Sequence, residues 1–132
     1  MAYFKPIAGQ LHVACTATPS TPVQFTYSNG SQLNEAMVDL RVLIFNASGS
    51  SEVHMAYGQS SAIVTAIAGA GGDTTAGAQD GGIITFGAAP ATYYGGTPDY
   101  ISIPANSFVS VWCAVAAQTA DVYICPGQER TH

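Results

Sequence analysis

Three histidines, three cysteines, eight carboxylates and three cations are the side chains from which this 132-residue chain could build a reactive site. Their spacing builds none of the common ones. His12, His54 and His132 stand apart from one another, with no close His-x-x-x-His or Cys-x-x-Cys pair of the kind that holds a metal on one local element. An isolated histidine on a strand reads instead as half-buried polar surface. The stretch Gly58-Gln-Ser60-Ser-Ala62 lacks the second glycine of a nucleophile elbow. The Gly-rich run 69–82 contains no lysine, so it is no phosphate loop, and its Asp73 and Asp80 do not repeat at a calcium-binding interval. A Rossmann fingerprint needs a strand-to-helix junction that the hydrophobic pattern does not offer. Glycoside hydrolysis needs two carboxylates held about 5–9.5 Å apart, and nothing singles out a pair among the acids. The expectation is a non-enzyme, with no catalytic residue, no cofactor and no metal. Cys15, Cys113 and Cys125 cannot all pair within one chain. A bond between Cys113 and Cys125, on two strands joined by a short turn, is sterically open, but a reducing compartment favours free buried thiols.

With chemistry set aside, the shortage of charge becomes the leading observation. Charged residues make up 8% of the chain and hydrophobic residues 48%, against about 25% charged in an ordinary soluble domain. The exterior must then be built mainly from Ser, Thr, Asn, Gln, Gly, Ala and Tyr. Such groups leave water at far lower cost than charges do, which suits a surface that works covered by partners. A net charge of −5 with only Lys5, Arg41 and Arg130 as cations argues against nucleic acid, whose phosphates require clustered Lys and Arg. No run approaches the ~18 apolar residues of a membrane span. The opening residues show no charged segment followed by an apolar stretch and cleavage site, so synthesis in a cytoplasm is expected. The Asn29-Gly-Ser31 and Asn46-Ala-Ser48 triplets then read as turns, not glycosylation acceptors.

The elements that position these residues follow a period of two, the mark of half-buried strands. Leu11, Val13, Cys15 and Ala17 alternate with polar neighbours, as do Val23, Phe25 and Tyr27. Val38, Leu40, Val42 and Ile44 line one face of the segment Met37–Asn46, while Leu43 and Phe45 make the end of its other face apolar, so that end should be covered on both sides. A Ser48-Gly49-Ser50 turn leads to Glu52–Tyr57, and the two segments read as a hairpin. Ala62–Ala68 and Ile83–Phe86 read as further strands; helical periodicity is hard to find. The stretch 88–99, with Tyr93 and Tyr94 beside Gly95-Gly96, reads as a contact loop. Tyr100–Ile103, Phe108–Ala116 and Asp121–Cys125 read as a closing meander, followed by a polar tail at Gln128–His132. Trp112 falls on the face opposite Val111 and Cys113, where burial is its simplest fate. Eight or nine short strands predict an all-β, single-domain β-sandwich, jelly-roll-like or related, with long Gly-rich loops and an extended N-terminal arm at residues 1–8. A faint echo, Arg41–Gln59 against Ser110–Gln128, matches Val42 with Val111, Val53 with Val122 and Gly58 with Gly127. Two similar hairpins account for it as well as duplication does, and it favours two layers.

Three segments carry a resemblance: Val42–Gly58 (VLIFNASGSSEVHMAYG), Ile103–Val115 (IPANSFVSVWCAV) and Ala120–Gly127 (ADVYICPG). A strand ending in Asn, a Gly/Ser turn, a strand ending in Gly and an Ile-Pro-Ala strand start are similar in style to small virion proteins of tailed phages, particularly the cement or decoration proteins of short-tailed phage heads. No diagnostic catalytic or binding residue comes with the likeness, which spans about half the chain. The resemblance implies a β-sandwich on the capsid exterior that bridges neighbouring major capsid proteins, stabilises the expanded head and is itself a dimer or trimer. The contacts expected on that reading are Tyr3, Phe4 and Pro6 in the N-terminal arm and Tyr93, Tyr94 and Tyr100 in the long loops. The competing reading is a carbohydrate-binding module of a tail or host-recognition structure, with Tyr93, Tyr94, Trp112 and Asp99 lining a shallow sugar site.

Overall fold

The structure is a computed structural model, and it describes residues 2–27, 29–45, 52–71, 81–86, 91–94 and 101–131. Among the described residues, ten strands and one helix follow in the order β1 (Ala2–Pro6), β2 (Leu11–Cys15), β3 (Val23–Gln24), β4 (Met37–Phe45), β5 (Val53–Gly58), α1 (Ser61–Gly69), β6 (Gly81–Phe86), β7 (Ala91–Tyr94), β8 (Ile101–Pro104), β9 (Phe108–Cys113) and β10 (Ala120–Thr131). They form two antiparallel sheets packed face to face, which is the all-β sandwich the period-two pattern predicts.

The first sheet runs β1-β10-β4-β7, with β2 also paired to β10 and β8 to β4; the second runs β3-β9-β5-β6. Alternation decides what each strand buries. Val38, Leu40, Val42 and Ile44 of β4 and Val122 and Ile124 of β10 point inward from the first sheet, against Val53, Met55, Phe86, Val109, Val111 and Cys113 of the second. Most of these side chains are completely removed from water.

Several sequence expectations change here. Met37–Asn46 and Glu52–Tyr57 do not make a hairpin: β4 pairs with β10, β7 and β8, while β5 pairs with β9 and β6. The connection is an arch from one sheet to the other, and its turn residues, with Ser48-Gly49-Ser50, lie outside the described residues. The closing meander is likewise absent, because β8, β9 and β10 alternate between the sheets. The reason is common to both. Each of these strands has one strongly apolar face, and folding the chain over places two such faces against each other instead of side by side.

The faint echo becomes a matched pair of arches. Val42 faces Ile124 and Ile44 faces Val122 in β4/β10; the positions that the echo aligns with them, Val111 with Met55 and Cys113 with Val53, face one another in β9/β5. Asp39–Gly127 corresponds in the same way to Phe108–Gly58 at the far end. The central pairs of the two sheets therefore share one register, with the arches interlocked between them.

Residues 61–69 are a helix, not the strand expected for Ala62–Ala68. Ser60 caps it, its hydroxyl accepting the Ile63 N–H at 3.2 Å. Val64, Ile67 and Ala68 then recur on one face and are buried. Removing that acceptor in Ser60→Ala should cost about 1 kcal/mol of stability, read as a lower urea midpoint, and Ser60→Asp should restore most of it.

The polar tail is also structured: β10 continues through Gln128 to Thr131, and the N-terminal residues are extended alongside it, Ala2 opposite Thr131 and Pro6 opposite Gly127. The β8–β9 turn is fixed by Asn106, whose backbone takes the left-handed conformation at φ 66° that asparagine tolerates. Its side-chain amide accepts the Leu33 N–H at 2.7 Å and donates to the Leu33 carbonyl at 2.9 Å, tying the segment before β4 to this turn.

Candidate functional site

The two sheets differ in what covers their outer faces. On the second sheet, Ala56, Trp112, Ile83 and Phe108 point outward and are roofed by Ile63, Val64, Ile67 and Ala68 of α1. Trp112 is only 5% exposed and its ring lies 5.4 Å from that of His54. His54 in turn has its Nδ1 at 3.0 Å from the Thr85 hydroxyl.

The first sheet has no helix on its outside among the described residues. Register places His12, Tyr123, Leu43 and Tyr93 in one row across β2, β10, β4 and β7, and Ala14, Asp121, Phe45 and Ala91 in the next. The His12 ring stacks on Tyr123 at 4.5 Å between centroids, and Phe45 meets the same tyrosine edge-on at 6.0 Å. His12 Nε2 also lies 3.0 Å from Asp121 Oδ1, which fixes the imidazole over the phenol ring. Beside them a shallow depression of about 270 Å³ is lined by Gln10, Arg41, Leu43, Tyr123 and Cys125. Burial pushes the Cys125 thiol above its ordinary value, with the Arg41 guanidinium opposing. Phe45 is 38% exposed and Met37 47%, so large apolar groups face water on this side. The end of β4 expected to be covered on both faces is covered on one.

Five of the residues singled out from the sequence belong to strands of this same sheet, at its two edges. Tyr3, Phe4 and Pro6 belong to β1, opposite Arg130, Glu129 and Gly127 of β10. Pro6 is exposed on this outermost strand, where its missing N–H costs no ladder bond. Tyr93 and Tyr94 are on a strand, not the flexible loop expected: β7 pairs with β4, placing Tyr93 opposite Leu43 and Tyr94 opposite Val42. Tyr100, Asp99, Asp73, Asp80 and His132 lie outside the described residues. The sugar site as expected does not assemble, because Trp112 is buried beneath α1 on the other sheet from Tyr93 and Tyr94. His12, Phe45 and Tyr123, none of them expected as a contact residue, are aromatic groups that the fold gathers on this face. Their common signal is outward phase on strands whose inward phase is aliphatic.

The two cysteines that the fold brings together are not Cys113 and Cys125, the pair left sterically open by their strands. All three are free thiols. Cys113 lies against Cys15, with the sulfurs 3.4 Å apart in the core, and Cys125 is on the opposite face of β10 from the core residues Val122 and Ile124. Among the described residues no three His, Cys, Asp or Glu side chains converge as metal ligands. No described helix is long and apolar enough to cross a membrane. No family model matches the chain, and no curated protein or solved structure matches it either.

Proposed function

We propose that this chain is a structural virion protein that binds the outside of a phage capsid and cements neighbouring major capsid proteins, stabilising the expanded head. The observation that carries the reading is the outer face of the six-stranded sheet, over which no described helix packs and where half-buried Leu43 and Tyr123 stand in the row beside exposed Phe45, while the other sheet is roofed by α1. An antiparallel sheet whose outer face works in water normally carries polar residues there. Aromatic and aliphatic groups ringed by a few polar ones are instead the make-up of a protein contact. The scarcity of charge over the whole chain extends the argument: 8% charged residues leave little desolvation penalty when the surface is covered. The likeness of Val42–Gly58, Ile103–Val115 and Ala120–Gly127 to phage decoration proteins supplies the identity of the partner. On this reading the protein is made in the host cytoplasm, ends on the capsid exterior, and self-associates as a dimer or trimer. The outermost strands β1 and β7 lie at opposite ends of the same sheet, so one subunit offers contacts on two sides.

The test is co-sedimentation of the purified chain with phage heads before and after expansion, over a concentration series. Saturable binding at a fixed copy number on expanded heads alone is the expected result. A chain that stays in the supernatant with both kinds of head, while binding a sugar saturably on a glycan array, would overturn the proposal.

A further inference from the structure

We infer that Cys15 and Cys113 are a redox-closable pair whose disulfide fastens the two sheets of the sandwich to each other. Cys15 ends β2 in the first sheet and Cys113 ends β9 in the second. Their sulfurs lie 3.4 Å apart, and the two residues are 2% and 1% exposed. The chain is already clamped at this point, where the Cys113 N–H donates to the Thr16 carbonyl at 2.7 Å. A disulfide needs its sulfurs at about 2.05 Å. The remaining approach is therefore about 1.4 Å, within reach of small rotations of two short side chains. The inference does not rest on the assembly reading.

The closure is a two-electron oxidation, and the oxidant is a low-molecular-weight disulfide such as glutathione disulfide. The thiolate of one cysteine attacks a sulfur of that disulfide, forming a mixed disulfide and expelling one small thiolate. The second cysteine gives up its proton and attacks the protein sulfur of the mixed disulfide, expelling the other small thiol. The protein loses two S–H bonds and gains one S–S bond, and the oxidant leaves as two thiols. Burial, together with the neighbouring Cys113 sulfur, pushes the Cys15 thiol well above the ordinary cysteine value. Attack from the closed native state is therefore slow, and the bond forms while the chain folds or opens. Once made it is shielded from reductant by the same burial. It also links residues 98 apart in sequence, a long loop whose closure restricts the unfolded chain strongly.

The experiment refolds the full chain and its Cys125→Ser variant from denaturant in a mixture of reduced and oxidised glutathione, so that access to buried sulfur does not limit the outcome. Free thiols are then alkylated under denaturing conditions and peptides mapped by mass spectrometry. The expected result is a linked pair of peptides carrying Cys15 and Cys113, with Cys125 alkylated in the wild type. The thermal midpoint should fall by about 10 °C when the oxidised protein is reduced, equally in wild type and Cys125→Ser. Full alkylation of Cys15 and Cys113 after oxidative refolding, a bridge mapped to Cys125, or a Cys15–Cys113 bond whose reduction leaves the midpoint unmoved would each overturn the inference.

Discussion

Trp112→Ala is expected to lose about 3–5 kcal/mol of folding stability, the largest loss anticipated for any single side chain outside the inner core. A small domain holds only about 5–15 kcal/mol in total, so the variant should unfold at a much lower urea concentration and lose part of its cooperativity. The cause is local. The indole fills the space between β9 and α1, in a cluster with Ala56, Val64, Ile67 and Ala68. Truncation leaves a cavity that a nine-residue helix cannot close without leaving its seat. Trp112→Phe keeps most of that volume and should lose about 1–2 kcal/mol. Because Trp112 is the only tryptophan, its fluorescence reports this one environment. Emission should be blue-shifted and weakly quenched by iodide in the native protein, moving red on unfolding. A native spectrum like that of free indole in water would place the side chain outside and defeat the account of α1 as a roof. It would also return Trp112 to the surface, where a sugar platform needs it.

How much of this could be read from the sequence depends on the distance over which each signal acts. Strands Leu11–Cys15, Met37–Phe45, Val53–Gly58 and Phe108–Cys113 were legible because alternation is written in neighbouring residues. The inward set Val38, Leu40, Val42 and Ile44 follows from the same pattern. Partner choice was not legible. A Gly/Ser-rich turn after β4 suits a tight hairpin and an arch between sheets equally, and only the packing of two apolar faces separates them. Residues 62–68 are almost continuously apolar, so period alone cannot assign them; the Ser60 cap and the spacing of Val64, Ile67 and Ala68 carried the helix signal. The candidate site was the least visible part. His12 and Tyr123 are brought together by β2/β10 pairing, and Cys15 and Cys113 by the stacking of the sheets. Each pair is about a hundred residues apart in the chain, beyond any local pattern. What composition did show was a surface poor in charge; of its exposed large apolar groups, Phe45 and Met37 lie on the open face of the six-stranded sheet, while Val23 lies on the other sheet and Val115 in the turn after β9.

Phe45→Glu should weaken binding to expanded heads at least about 30-fold, the effect of losing roughly 2 kcal/mol at a contact centre. The ring is exposed enough to be replaced without opening the core, and its aromatic contact among the described residues, the edge of Tyr123, is worth about 1 kcal/mol. The thermal midpoint should therefore move by only a few degrees while affinity collapses, because the buried carboxylate has no partner in an apolar contact. Thr65→Glu supplies the control: Thr65 is exposed on α1, over the other sheet, and should change affinity less than about twofold. Salt gives an independent reading of the same surface. The charges beside Leu43, Phe45 and Tyr123 are Arg41 and Asp121, one of each sign, so long-range attraction to a partner largely cancels and the affinity of the unaltered protein should vary less than about threefold across a tenfold range of ionic strength. Should Phe45→Glu bind heads as tightly as the unaltered chain while Thr65→Glu does not, the helix side makes the contact. The open face of the six-stranded sheet then has some other use.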